Sequence, residues 1–212
     1  MKYTAGLVQL NIDERIRALR AEALSREIPV ADDETLNYLL FTVSALQPKK
    51  ILEIGTAVGL SAAAMLFACP RAHITTIECE EDRFIEAKNN FVSLGVGSRV
   101  TAHLGDAGEI ISMMDDDVFD FVFLDGPKAQ YVHYLSDLKR ITKVGGVIFA
   151  DDVLLYGWVD GKEPTPQKRR SIVEKIRQYL QTVTKDSEFI TSVLDIGDGV
   201  AVSYLKSKSK VE

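Results

Sequence analysis

Asp125, Lys128, Asp151 and Asp152 carry the side chains whose types and spacing point most directly to chemistry. Asp125 closes the apolar run DFVFLD (120–125) and opens Asp-Gly-Pro-Lys; Asp151 closes a second run, GVIFAD (146–151), and Asp152 follows it. Carboxylates that end neighbouring parallel strands share one rim of a sheet, so these three converge. Unbalanced, they would repel. A hard cation such as Mg²⁺ takes oxygen ligands, keeps exchangeable waters and relieves that repulsion. The alternative is helix capping plus one loop acid. Beside a cation the pKa of Lys128 would fall, which suits a general base for a metal-acidified hydroxyl; without Asp125 it would read as a surface lysine.

A second set of residues looks suited to holding a ligand. Glu53-Ile54-Gly55-Thr56-Ala57-Val58-Gly59 stands where an apolar run meets a helical one, and Ser61 falls on the helix's first turn. Small residues let the backbone approach a ligand, and a helix start offers free N–H groups. The E-x-G-x-x-x-G spacing departs from the G-x-G-x-x-G that cradles a pyrophosphate, which argues against NAD. A glycine turn that only packs the helix on the sheet would look the same. Glu78 ends the next run, where an acid can accept both hydroxyls of a ribose, or be a plain surface glutamate. Asp106, in Gly105-Asp106-Ala107, is placed to accept from an adenine amine or to cap a helix. Together they mark three successive strand ends on the ligand-binding rim of an open parallel sheet.

The elements that must position these residues are legible as alternating periods. Ile12, Ile16, Leu19, Ala23 and Leu24 give a helix over 12–27, ended by Pro29. Asp32 or Asp33 caps a second helix that runs to Pro48. Strands follow at 50–54, 73–78, 99–104, 120–125 and 146–151, with helices near 59–68, 81–94, 106–114 and 129–141. This alternation predicts βαβ units and a mostly parallel sheet. A basic helix near 166–183 precedes strands 189–196 and 200–205, joined as an antiparallel hairpin by Gly197-Asp198-Gly199. One domain over 1–212 is expected, with N-terminal helices (1–47), an α/β core (48–206) and a frayed tail (207–212).

Composition narrows the partners. The 212 residues are 46% hydrophobic and 26% charged, as in soluble globular proteins, and the net charge of −6 provides no global field for nucleic acid. With no long apolar run and charge arriving early, a membrane span and a leader peptide are not expected, and a cytoplasmic protein is. Cys69 and Cys79 read as buried free thiols. His73, His103 and His133 lack ligand spacing and read as structural or exposed. Tyr156 and Trp158 read either as a wall of an acceptor pocket or as core anchors.

The carboxylate, lysine and glycine-loop residues together resemble the metal-dependent O-methyltransferase family that includes catechol O-methyltransferase and its bacterial relatives. The resemblance implies a class I, Rossmann-like α/β methyltransferase fold with a seven-stranded sheet, and a homodimer with the N-terminal helices as interface or lid. It implies S-adenosylmethionine held by Glu53, Gly55 and Ser61, with Glu78 on the ribose; Val43, Asp106, Ala107 and Asp125 join the cofactor contacts. It implies a divalent cation on Asp125, Asp151 and Asp152, and Lys128 as catalytic base beside Asp125. The last ligand is usually Asn, and a third carboxylate there should hold the cation more tightly while weakening its acidifying pull. QPKKILEIGTAVGLSA, VLLYGWV, EPTPQKRRSIVEKI and IGDGVAVS look more similar still to the bacterial branch that methylates 5-hydroxyuridine in tRNA. On that reading Lys168, Arg169 and Arg170, with Lys175 and Arg177, contact RNA phosphates. A solvated helix face is the plainer alternative, and a small catechol or phenol the alternative acceptor.

Overall fold

The computed structural model describes Leu7 and residues 9–209, in two compact units that divide between Ala107 and Gly108. The first unit carries α1 (Glu14–Ser25), α2 (Asp33–Leu46), β1 (Lys50–Ile54), α3 (Leu60–Ala68), β2 (His73–Glu78), α4 (Glu81–Ser93) and β3 (Val100–Leu104). β2 pairs in parallel with β1 and with β3. Four of the five β1 residues are buried, so this strand is covered on both faces, as parallel sheets are.

Local chemistry sets the helix ends. The Asp32 carboxylate accepts the Thr35 N–H at 2.8 Å and caps α2. α1 ends at Ser25, before Pro29 is reached. Ile28 N–H donates to Ala23 O, Glu27 N–H donates to Leu24 O, and Glu27 takes φ 55°. That is a Schellman stop, closed by the buried pair Ala23 and Ile28. Pro29 only forbids a restart.

The second unit follows α5 (Ala107–Ser112), which spans the division. It holds β4 (Phe119–Leu124), α6 (Tyr131–Ile141), β5 (Thr142–Ala150), α7 (Arg170–Lys185), β6 (Phe189–Leu194) and β7 (Val200–Leu205). β4 and β5 are parallel; β7 pairs antiparallel with β5 and with β6, the expected closing hairpin. β5 starts four residues before the expected 146, because a register irregularity between Phe119 and Phe121 admits Thr142–Gly145. Gly146 is required there: a Cβ would meet Lys143 O at 2.9 Å. α7 starts at Arg170, after a 3₁₀ turn over Gln167–Arg169, and buries Val173, Ile176, Tyr179 and Val183.

The tail does not fray where it is described. Lys206 N–H donates to Glu188 O, and the Lys208 ammonium donates to Asp117 Oδ1 and Arg140 O, each at 2.6 Å. The rest of that expectation, 210–212, lies outside the described residues. Cys69 is buried, but Cys79 is exposed, against expectation. No helix among the described residues is long and apolar enough to cross a membrane.

Candidate functional site

In the first unit, the turn after β1 is built from left-handed backbone. Gly55, Ala57 and Gly59 take φ 100°, 47° and 81°, and Gly59 precedes α3 without a side-chain cap. A Cβ on Gly59 would lie 2.5 Å from the Phe91 ring, so α4 sets how close this turn can come. Glu53 is fully buried beneath it: one carboxylate oxygen accepts the Ser61 hydroxyl at 2.6 Å and the other the Thr76 hydroxyl at 2.6 Å. Glu53 and Ser61 therefore brace each other. Thr76, unmarked in the sequence, completes the set through Thr56, 2.5 Å from it.

Glu78, at the end of β2, accepts three backbone N–H groups: Ala57 at 2.8 Å, Cys79 at 2.9 Å and Glu80 at 2.9 Å. This ties the strand end to the turn and fixes the carboxylate in place. Asp106 is exposed after β3, Ala107 is buried at the start of α5, and Val43 lies fully buried in α2. The close-approach backbone, the helix start that follows it and the fixed acid fit a ligand that carries a carboxylate and a ribose.

In the second unit, Asp125, Asp151 and Asp152 come together. Each offers a carboxylate oxygen, and these lie within 4.8 Å of one another. Asp151 is only 2% exposed; burial, then repulsion from Asp125 and Asp152, pushes its pKa well above the usual carboxylate range. Burial also raises Asp125, against the pull of Lys128. The Lys128 ammonium lies 2.6 Å from Asp125 Oδ1 and 3.1 Å from Asp152 Oδ2. Burial works against that charge, but the oxygens of Tyr131, Asp125 and Asp152 outweigh it and hold its pKa well above normal. With the carboxylates free, Lys128 is thus an ammonium and not yet a base. Three hard oxygen donors, one deeply buried, fit a divalent cation.

Asp152 takes φ 55°, a conformation that Asp and Asn tolerate better than most side chains. That backbone demand is one physical reason for the position to hold either residue. The Asp152 N–H donates to Asp151 Oδ1 at 2.7 Å. Tyr131, missed in the sequence, lies under the cluster; its hydroxyl donates to Leu124 O at 2.8 Å, with Asp151 O 3.2 Å away. It binds the ends of β4 and β5 together from within, and only its place in an amphipathic helix hinted at burial.

Downstream, Tyr156 is exposed and Trp158 half-buried, with ring centroids 5.0 Å apart. Neither is a core anchor. Lys168, Arg169 and Arg170 are exposed and make no ion pair among the described residues. Arg177 serves otherwise: its guanidinium donates to the carbonyls of Val159 and Trp158, at 3.0 and 3.1 Å. A residue read as an RNA contact is a brace for the loop. His73 is structural, with Nε2 2.9 Å from the Thr101 hydroxyl.

Parallel β1, β2 and β3 in the first unit, and in the second parallel β4 and β5 with antiparallel β7 and β6, are the strands of the α/β Rossmann-like methyltransferase fold. A crystal structure of a candidate caffeoyl-CoA O-methyltransferase from Staphylococcus aureus shares it with TM-score 0.82 and 32% identity, over 89% of this chain and 90% of that one. TomG from Streptomyces achromogenes, solved with S-adenosylmethionine, shares the fold with TM-score 0.80 at 24% identity, over 93% of each chain. Caffeoyl-CoA O-methyltransferase from Populus kitakamiensis is 28% identical over 182 residues, 82% of this chain and 76% of its own length. Residues 9–206 match the O-methyltransferase family model. The chain belongs to that family and is an S-adenosylmethionine-dependent O-methyltransferase.

Proposed function

We propose that this enzyme transfers the sulfonium methyl to the hydroxyl of 5-hydroxyuridine in tRNA, with a divalent cation, Mg²⁺, seated on Asp125, Asp151 and Asp152. The observation that carries the metal half is the buried Asp151 among carboxylate oxygens within 4.8 Å, facing a single lysine that contacts the other two acids. When bound, the cation supplies Lewis acidity that lowers the pKa of an acceptor hydroxyl. With its two carboxylate partners engaged by the cation, Lys128 would lose the support for its charge, release its own proton to solvent, and could then take the hydroxyl's proton at Nζ. Glu53, Gly55, Ser61 and Glu78 hold the donor, and Tyr131 keeps the two ligand-bearing strand ends in register. Positioning of hydroxyl and methyl in line supplies much of the rate.

The exposed, unpaired Lys168–Arg170 run after the aromatic loop supports the tRNA acceptor, since cations on one surface position a phosphate backbone. A cytoplasmic enzyme follows from that substrate. A small hydroxylated aromatic is the second reading, favoured by the caffeoyl-CoA names of relatives. We extend the proposal to a homodimer through the N-terminal helices, where Leu24, Phe41 and Leu46 are at least half exposed. The deciding experiment compares hypomodified bulk tRNA with a catechol panel. Mass detection of methoxyuridine supports the first acceptor, and methylated catechol alone overturns it.

A further inference from the structure

We infer that the turn between β6 and β7 positions the acceptor side of the site: Asp198 and Arg177 hold Tyr156 and Trp158 as a stacking platform for a planar hydroxylated ring. The inference rests on the reading of the Asp125–Asp151–Asp152 end as the acceptor end. Residues 153–159 follow Asp152 directly and belong to no regular strand or helix. They are tied at both ends instead. Val153 N–H donates to Gly199 O and Leu154 N–H to Asp198 O, each at 2.9 Å, and the Tyr156 N–H donates to the Asp198 carboxylate. At the far end the Arg177 guanidinium takes the carbonyls of Trp158 and Val159.

The path between these ties is one the chain would not hold alone. Leu155 and Tyr156 take φ 46° and 58°, values that L side chains rarely adopt. The turn approaches so closely that a Cβ on Gly199, itself at φ 90°, would lie 2.3 Å from Leu154 Cγ. The result is two aromatic rings 5.0 Å apart, with Tyr156 70% exposed, beginning four residues past a candidate metal ligand. Apolar surface kept in water at this place has no packing use, but a planar ring or base can stack on it. Asp198 and Arg177 touch no acceptor; they are positioning residues.

Trp158 is the only tryptophan, so intrinsic fluorescence reports this loop directly. The test compares wild type with Asp198→Ala and Asp198→Asn by Trp anisotropy, by KM for hypomodified bulk tRNA and for catechol, and by calorimetric Kd for S-adenosylmethionine. Asp198→Ala should lower anisotropy and raise KM by roughly tenfold or more for whichever acceptor turns over, the loss expected for one hydrogen bond to a charged group. Donor Kd should not move. Asp198→Asn keeps an accepting oxygen and should restore both readouts. Unchanged anisotropy and KM in Asp198→Ala, or Asn as impaired as Ala, would overturn the inference. Should Asp198→Ala fail to fold, hydrogen exchange in wild type decides: the Tyr156 amide must be protected, and free exchange overturns the clamp. Wild type that methylates neither probe refutes the proposed acceptors instead, while the anisotropy arm still judges the clamp.

Discussion

Asp151 sits where its surroundings oppose a charge and push its pKa well above the usual carboxylate range. It is nearly buried, and the nearest cation, Lys128, contacts Asp125 and Asp152. Removing a buried carboxyl whose ionisation the site opposes relieves that cost, so Asp151→Ala should melt no lower than wild type without metal. Its melting temperature should also stop responding to Mg²⁺, whereas wild type at a hundredfold excess over Kd gains about 2.7 kcal/mol. Differential scanning calorimetry with and without Mg²⁺ checks both. Lys128→Ala should lower kcat by roughly 10²-fold or more and leave donor affinity unchanged, as expected for a proton-transfer group. Stopped-flow turnover beside calorimetry separates the two. Asp152→Asn keeps the left-handed backbone accessible, so it should fold normally, bind Mg²⁺ more weakly and show a higher kcat at saturating metal.

Elements hold these residues by contacts that pattern reading reaches unevenly. The bounds of β1, β2 and β7 match their apolar runs, because strands that must be buried are written in apolar residues. The start of β5 escaped, since half-buried Lys143 and exposed Val144 followed by two glycines read as a turn. The end of α1 escaped as well, because Glu27 occupies a left-handed position usually given to glycine. At the second unit's edge, Lys139 and then Ser209, through its side chain before its N–H, hold the Glu188 carboxyl down to about 2, against an ordinary 4.5. A depressed carboxyl stabilises above its unfolded pKa and loses that contribution as pH falls through the folded value. Glu188→Gln should thus melt below wild type at pH 6, and the gap should close between about pH 4.5 and pH 2. Thermal melts across that range check the sign; a gap that widens on acidification would contradict it.

For the whole molecule, the fold and the convergence of Asp125, Lys128, Asp151 and Asp152 were legible, because strand ends on a parallel sheet share a rim. The supporting contacts were not. Tyr131, Thr76 and Arg177 act through side chains that meet partners 20, 23 and 19 residues away, and no local pattern announces such meetings. Arg177 shows the hazard: a basic helix face counted as RNA-binding includes one residue committed inward. The net charge of −6 makes the remaining Lys168–Arg170 patch the testable part. Reversing all three charges should cut kcat/KM on tRNA by about tenfold or more and flatten its salt dependence, while catechol turnover stays unchanged. Equal effects on both acceptors would remove the patch from RNA recognition.

The most direct test of cation-dependent O-methylation is the initial rate of methyl transfer from S-adenosylmethionine in excess EDTA and after Mg²⁺ is restored. A carboxylate triad that works through a bound cation predicts near-complete loss in EDTA and full recovery with Mg²⁺. Full activity in EDTA would contradict it.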